Sequence, residues 1–259
     1  MIRDLSARRQ AEEETLRLNV ELEQRVRERT AALEAANREL EAFTYSVSHD
    51  LRAPLRSLNG FTKALLEDYS DKLDEQGVRY LEFAHEASER MGRLIEDLLD
   101  LSRVSRGELS RQKVDLGAVG ASVMKELQKQ EPQRSLEVII APKLIAQGDE
   151  GLLRIALANL LSNAWKFTNR QLTPRIELGA IQQNGAPVFF VRDNGAGFNM
   201  ANANRLFGVF QRLHSQDEFP GTGVGLATVH RILVRHGGNI WAESQVDQGA
   251  TFYFTLPES

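Results

Sequence analysis

Five short stretches of this sequence carry side chains whose type and spacing could do chemistry. The first is Ser48-His49-Asp50-Leu51-Arg52-Ala53-Pro54. A histidine held outward on a helix can act as a nucleophile, and a neighbouring carboxylate can accept a hydrogen bond from one ring nitrogen while the other attacks. Asp50 is placed for that role. Pro54 supplies no N–H for the carbonyl of Asp50 and is expected to kink the helix there. The plain alternative is an exposed histidine beside a tolerated proline. The second stretch is Asn159 to Thr168, in which Asn159, Asn163 and Lys166 sit at i, i+4 and i+7 and share one helical face. A carboxamide oxygen is a hard ligand suited to Mg²⁺, which brings phosphates with it, and lysine is a flexible point charge for phosphate oxygens. The alternative is the solvated face of an ordinary helix, buried through Leu157, Leu160 and Leu161.

The third stretch, Asp193-Asn194-Gly195-Ala196-Gly197, closes an apolar run. An aspartate there can accept a hydrogen bond from an exocyclic amine such as that of adenine, and the glycines let backbone approach a ligand closely; a plain turn would look the same. The fourth, Gly221-Thr222-Gly223-Val224-Gly225-Leu226, opens a helix whose unpaired amides attract anions. It matches neither the Walker A pattern nor the dinucleotide fingerprint. Between them lies Phe207-Gly208-Val209-Phe210-Gln211-Arg212. Its two phenylalanines could anchor a mobile lid on the globular half with Arg212 facing incoming phosphates, or simply fill a satellite core.

The elements that must position these residues divide the chain in two. Of 19 glycines only four fall in 1–110, and of seven prolines only Pro54 does. A long-helix half therefore precedes a mixed half. Residues 1–45 carry 18 charged side chains and neither Gly nor Pro. From Leu22 an apolar heptad runs with Leu22, Ala36 and Phe43 on one seam position and Val26, Leu33, Leu40 and Val47 on the other, broken once by Arg29. This predicts a coiled coil. The helix should run to about Tyr69, turn at Ser70–Asp74, and return over roughly 76–105, forming a hairpin that makes a four-helix bundle with a second copy. Beyond Lys113 we expect a strand and then a helix to Gln130, a strand at Leu136–Ile140, and a helix at Asp149–Phe167. A hairpin should follow around Asn184-Gly185, then a glycine-containing segment over 195–223, a helix to His236 and two closing strands. A mixed sheet covered by helices is the natural arrangement.

Composition narrows the function classes. The 259 residues are 42% hydrophobic and 26% charged, an ordinary soluble composition. A net charge of −4 gives no support for nucleic-acid binding, and the absence of cysteine excludes disulfides, thiolate catalysis and Cys-ligated zinc. No apolar run reaches membrane-spanning length and the densely charged start is not a signal peptide, so a cytoplasmic chain without a membrane segment is expected.

Taken in order and spacing, these motifs resemble those of the sensor histidine kinases over nearly the whole chain. His49–Pro54 resembles the H box, Asn159–Thr168 the N box, Asp193–Gly197 and Gly221–Gly225 the two glycine boxes, and Phe207–Phe210 the F box. The run Phe210-Gln211-Arg212-Leu213-His214-Ser215 with Glu218-Phe219-Pro220-Gly221-Thr222-Gly223 is similar to the phytochrome-like branch. Residues 2–13 look like the linker after a sensory domain, which would make this chain a fragment of a longer receptor. The resemblance implies a signalling coiled-coil linker (1–45), a dimerisation and histidine phosphotransfer hairpin (46–110) and an α/β-sandwich ATP-binding domain (111–259). The γ-phosphoryl of ATP would pass to His49 with Asp50 as general base, then to an aspartate of a response regulator. Asn163 would hold Mg²⁺, with Asn159 and Lys166 on the phosphates. Asp193 would read the adenine amine, with Gly195 and Gly197 beside it and Phe167 near the base. Gly221, Thr222, Gly223, Gly225 and Leu226, with Arg212, would close over the nucleotide. The dimer is expected through residues 22–105. Many relatives carry Thr or Asn where Ala53 stands, a position associated with dephosphorylating the regulator, so weak phosphatase activity is expected. Two rivals remain: an ATP hydrolase of the gyrase and heat-shock chaperone type, which carries a glutamate where Asn159 stands, and a non-catalytic dimeric adaptor. His85, His230 and His236 match no motif and are expected to be structural.

Overall fold

The computed structural model describes residues 2–104, 108–183, 185–215 and 218–257. By internal contacts the chain forms two compact units, Met1–Val47 and Ser48–Ser259. Helix α1 (Ile2–Tyr69) runs unbroken for 68 residues with Pro54 inside it. The helix continues through Pro54 to Tyr69, as expected: proline removes one hydrogen bond, and the turns on either side carry the helix through. In the first unit the described seam side chains of Leu22, Val26, Phe43 and Val47 are exposed in the single chain, Leu22 to 61% and Phe43 to 64%. The seam side chains of Leu33 and Leu40, and residue Asn184 of the expected turn, lie outside the described residues.

In the second unit α1 is followed by a 3₁₀ turn (Ser70–Lys72) and helix α2 (Glu75–Val104). The two helices are tied by polar contacts. The hydroxyl of Ser88 donates to Asn59 Oδ1, and Thr62 Oγ1 lies 3.0 Å from His85 Nδ1. Thr62 and Ser88 are buried, so these partners satisfy groups that would otherwise be stranded. Beside them an apolar groove of about 590 Å³ is lined by Leu51, Leu55 and Leu58 of α1 and Met91, Leu94 and Leu98 of α2.

The remainder is a mixed sheet under three helices, as the alternating apolar patterns imply. Strand β1 (Gln112–Asp115) pairs antiparallel with β3 (Ile145–Gly148), a short strand that the sequence pattern did not mark. The main sheet has the order β2-β4-β5-β7-β6, formed by β2 (Glu137–Ile140), β4 (Arg175–Gln183), β5 (Ala186–Asp193), β6 (Ile240–Gln245) and β7 (Gly249–Thr255). Only β2 with β4 is parallel. Helices α3 (Leu116–Gln130), α4 (Glu150–Phe167) and α5 (Gly225–Arg235) join one face of this sheet in a single core that includes Leu157, Leu161, Phe189 and Ile232. Aspartates cap two of these helices: Asp115 accepts from the amides of Gly117 and Ala118, and Asp149 from that of Leu152. His236, fully buried, accepts the Asp149 N–H at Nε2 and bonds the Ile232 carbonyl through Nδ1, which fixes the helix α4 start to the end of α5.

Candidate functional site

Helix α4 presents Asn159, Asn163 and Lys166 on its less apolar side because Leu157, Leu160 and Leu161 fill the core. Strand β5 ends at Asp193, and α5 begins at Gly225. These three element ends converge on a cavity of about 480 Å³. Asn159, Asn163, Lys166, Phe167, Asp193, Gly197, Arg212 and the Gly221-Thr222-Gly223 turn with Gly225 and Leu226 all line it. Motifs separated by up to 67 positions of chain thus share one concavity, which none of the plain alternatives for the single motifs requires. Gly195 is not on the wall; its N–H donates to Asp193 Oδ1 at 2.8 Å and fixes that carboxylate.

The electrostatics of the cavity are set by burial. Asp193 is buried, which pushes its carboxyl up to about 6, against the N–H groups of Gly195 and Ala250 that favour its ionised form. Lys166 is pushed down to about 8 by burial and by the positive charge of Arg212. Its Nζ lies 3.3 Å from Asn163 Oδ1 and 4.3 Å over the ring of Phe167. Two crowded cations and a buried carboxylate on the wall of one cavity suit an anion and a hydrogen-bond donor respectively. Among the described residues no group of three or more His, Cys, Asp or Glu gathers as a metal centre. The carboxamide oxygens of Asn159 and Asn163 fit an ion whose other ligands are phosphate and water oxygens.

Close approach explains two glycines. A Cβ on Gly225 would lie 2.4 Å from Asn159 Oδ1. Gly197 has φ +59°, and a Cβ there would lie 2.0 Å from the Gln245 carbonyl oxygen. Arg212, expected to face phosphates, lines the cavity while its guanidinium donates to the carbonyls of Ser215 and Phe219, bracing the loop across the cavity. The two phenylalanines of the F box separate. Phe207 packs on the core and stacks on His230, as expected of an anchor. Phe210, expected to do the same, instead lines the hairpin groove with Leu51 and Pro54, and its φ is +62°.

Sequence reasoning missed other wall residues. His214 packs 5.2 Å from both Phe167 and Phe219, all three on the cavity. Arg90, Arg93, Glu96 and Asp97 reach the same wall from α2. The hydroxyl of Thr222 donates to Asp97, whose carboxyl is raised by burial. In the sequence these α2 residues are merely charges on the polar side of an amphipathic helix, and nothing local distinguishes them.

His49 and Asp50 are not on the cavity wall. They lie on α1 as an exposed pair, with His49 Nδ1 3.2 Å from Asp50 Oδ1 and side chains 63% and 76% exposed. An imidazole whose Nδ1–H is donated to a carboxylate carries its lone pair on Nε2, the arrangement of a nucleophile with a base behind it. Ala53 lies one helical turn further along the same face.

Residues 39–107 match the family described as His Kinase A (phospho-acceptor) domain, and residues 148–259 that described as Histidine kinase-, DNA gyrase B-, and HSP90-like ATPase. Cyanobacterial phytochrome B of a Nostoc species is 36% identical over 96% of this chain and 32% of its own length. The methanogenesis regulatory histidine kinase FilI of Methanothrix harundinacea is 37% identical over 90% of this chain and 26% of its own. The chain spans about a third of the length of the curated relatives it matches. Among solved structures, full-length ShkA in complex with AMPPNP superposes with a TM-score of 0.62 at 27% identity, over 83% of this chain and 45% of that one. No described helix is long and apolar enough to cross a membrane.

Proposed function

The chain belongs to the sensor histidine kinases, and from that premise we propose that it catalyses ATP-dependent phosphorylation of its own His49 and passes the phosphoryl group to an aspartate of a response-regulator receiver domain. The observation that carries this reading is the pairing of two separate sites in one chain: an exposed His49–Asp50 couple and a cavity into which the N box and both glycine boxes converge. The hairpin within 46–110 would carry the acceptor, 111–259 the nucleotide, and 1–45 the coiled-coil input.

In this reading Asp193 accepts from the adenine amine, Phe167 packs near the base, and Asn159 and Lys166 meet the phosphates. Arg212 holds the loop that closes over them, together with Thr222, Leu226 and the glycines at 221, 223 and 225. Asn163 would hold Mg²⁺, which neutralises phosphate charge when bound. His49 Nε2 forms a bond to the γ-phosphorus while the bond from that phosphorus to the β–γ bridging oxygen breaks, and ADP leaves. His49 keeps its Nδ1 proton and donates it to the Asp50 carboxylate, so the developing imidazolium is paired. Because His49 lies outside the cavity wall, transfer requires the nucleotide domain to move toward α1, the kind of domain step common in such enzymes.

Hydrolysis is disfavoured at Asn159, since a carboxamide cannot take a proton from water; its Nδ2 donates to the Ile155 carbonyl at 2.9 Å. Incubation with γ-labelled ATP separates the readings. Acid-labile, alkali-stable label on the protein, absent in His49→Gln, is the expected result. Released phosphate without label would point to a hydrolase, and neither product to an adaptor.

A further inference from the structure

We propose that helix α2 of the hairpin completes the nucleotide site, with Arg90 and Arg93 contacting the polyphosphate of bound ATP from the α2 side of the cavity. The inference rests on the kinase reading above and adds to it a binding role for the hairpin. Arg90, Arg93 and Asp97 are spaced i, i+3 and i+7 and therefore share one face of α2, and all three line the same cavity as Lys166 and the second glycine box. Two independent contacts hold that face in place. The Thr222 hydroxyl, in the middle of the glycine box, donates to Asp97. Further along, α2 buries Leu99 and Val104 to 1% exposure, and Arg235 of α5 donates to the Val104 carbonyl. The helix whose N-terminus follows the glycine box is thus packed against the helix that carries the arginines.

The chemistry of the wall favours a polyphosphate. Asp97 sits near Arg93, whose charge stabilises its carboxylate, and between the like charges of Glu96 and Asp100. Arg90 is half-buried at the cavity. A guanidinium presents planar paired donors that match the charged oxygens of phosphate, and neither adenine nor ribose carries a negative charge to meet it. The arginines should therefore discriminate between nucleotides by phosphate count.

The experiment measures equilibrium binding of ATP and of adenosine to the full chain in three forms: wild type, Arg90→Ala with Arg93→Ala, and Arg90→Lys with Arg93→Lys. Equal melting temperatures confirm that each form is folded. The double alanine variant should bind ATP roughly tenfold more weakly with adenosine affinity unchanged, and the lysine variant should recover part of the loss. ATP affinity unchanged in the alanine variant, or ATP and adenosine affinity falling together, would overturn the inference while leaving the kinase reading intact. A folded wild type that binds neither ligand would overturn both.

Discussion

At the scale of single residues, the charge state of a few buried groups and the partners that meet them govern the site. Asp193 has its carboxyl pushed from the ordinary 3.8 up to about 6 by burial. A raised carboxyl pKa means that the fold disfavours the ionised form. Below about pH 4 both folded and unfolded states are protonated and this group contributes nothing; above about pH 6 its ionisation opposes folding by about 3 kcal/mol. An adenine amine donating to the carboxylate favours the ionised form, so nucleotide affinity should fall as pH drops through about 6, and Asp193→Asn should flatten that dependence. Calorimetric titration of ATP between about pH 5 and 8 checks it; a flat wild-type profile would remove Asp193 from the adenine contact. Ala53 lies one turn beyond His49 and cannot orient a water. The wild type should therefore dephosphorylate its regulator slowly, with Ala53→Thr faster, and a robust wild-type phosphatase would contradict this. The residues of the N box and both glycine boxes were legible in the sequence because their chemistry is local: side-chain type at helical spacing, or glycine beside aspartate. Arg90, Arg93, Asp97 and His214 were not, because their relevance arises only when α2 and the loop after Phe210 fold over the cavity.

At the scale of elements, two glycines should fail in different ways. At Gly225 an added methyl meets the end of a movable side chain, Asn159 Oδ1, at 2.4 Å. Gly225→Ala should leave melting within a few degrees but turn the Asn159 carboxamide and weaken ATP binding about tenfold. At Gly197 the obstacle is backbone, the Gln245 carbonyl 2.0 Å away, and φ is +59°. Gly197→Ala should lose at least about 2 kcal/mol of stability. Denaturant melts alongside ATP titration distinguish the two, and an equal stability loss in both would contradict the reading of Gly225. Most helices and strands followed from apolar periodicity, as the helix expected at Asp149–Phe167 illustrates, with Asp149 found as its cap. Strand β3 escaped because four residues, Ile145 to Gly148, carry too little alternation to show a period, and their pairing with β1 spans more than thirty residues of chain. Phe210 was misjudged because an aromatic residue at positive φ is a tertiary choice that local preference opposes.

At the scale of the whole molecule, the exposed seam side chains of Leu22, Val26, Phe43 and Val47 and the groove along Leu51, Leu58 and Leu94 present apolar surface of a kind that a second copy covers in a helical bundle. A homodimer through residues 22–105 is expected, so light scattering at micromolar concentration should give twice the 29.1 kDa chain mass. Leu58→Glu, which places a charge in that groove, should shift the mass toward one chain. A wild-type monomer would remove the dimer. The central claim, however, is that phosphorus leaves a nucleotide held in one part of the molecule and arrives on one nitrogen in another. Phosphorus NMR of the chain after incubation with ATP and Mg²⁺, with peptide mapping of the modified site, reads that event directly. A phosphoramidate resonance assigned to Nε2 of His49 is expected. Phosphate found on a hydroxyl or carboxylate side chain, or at a histidine other than His49, would contradict it.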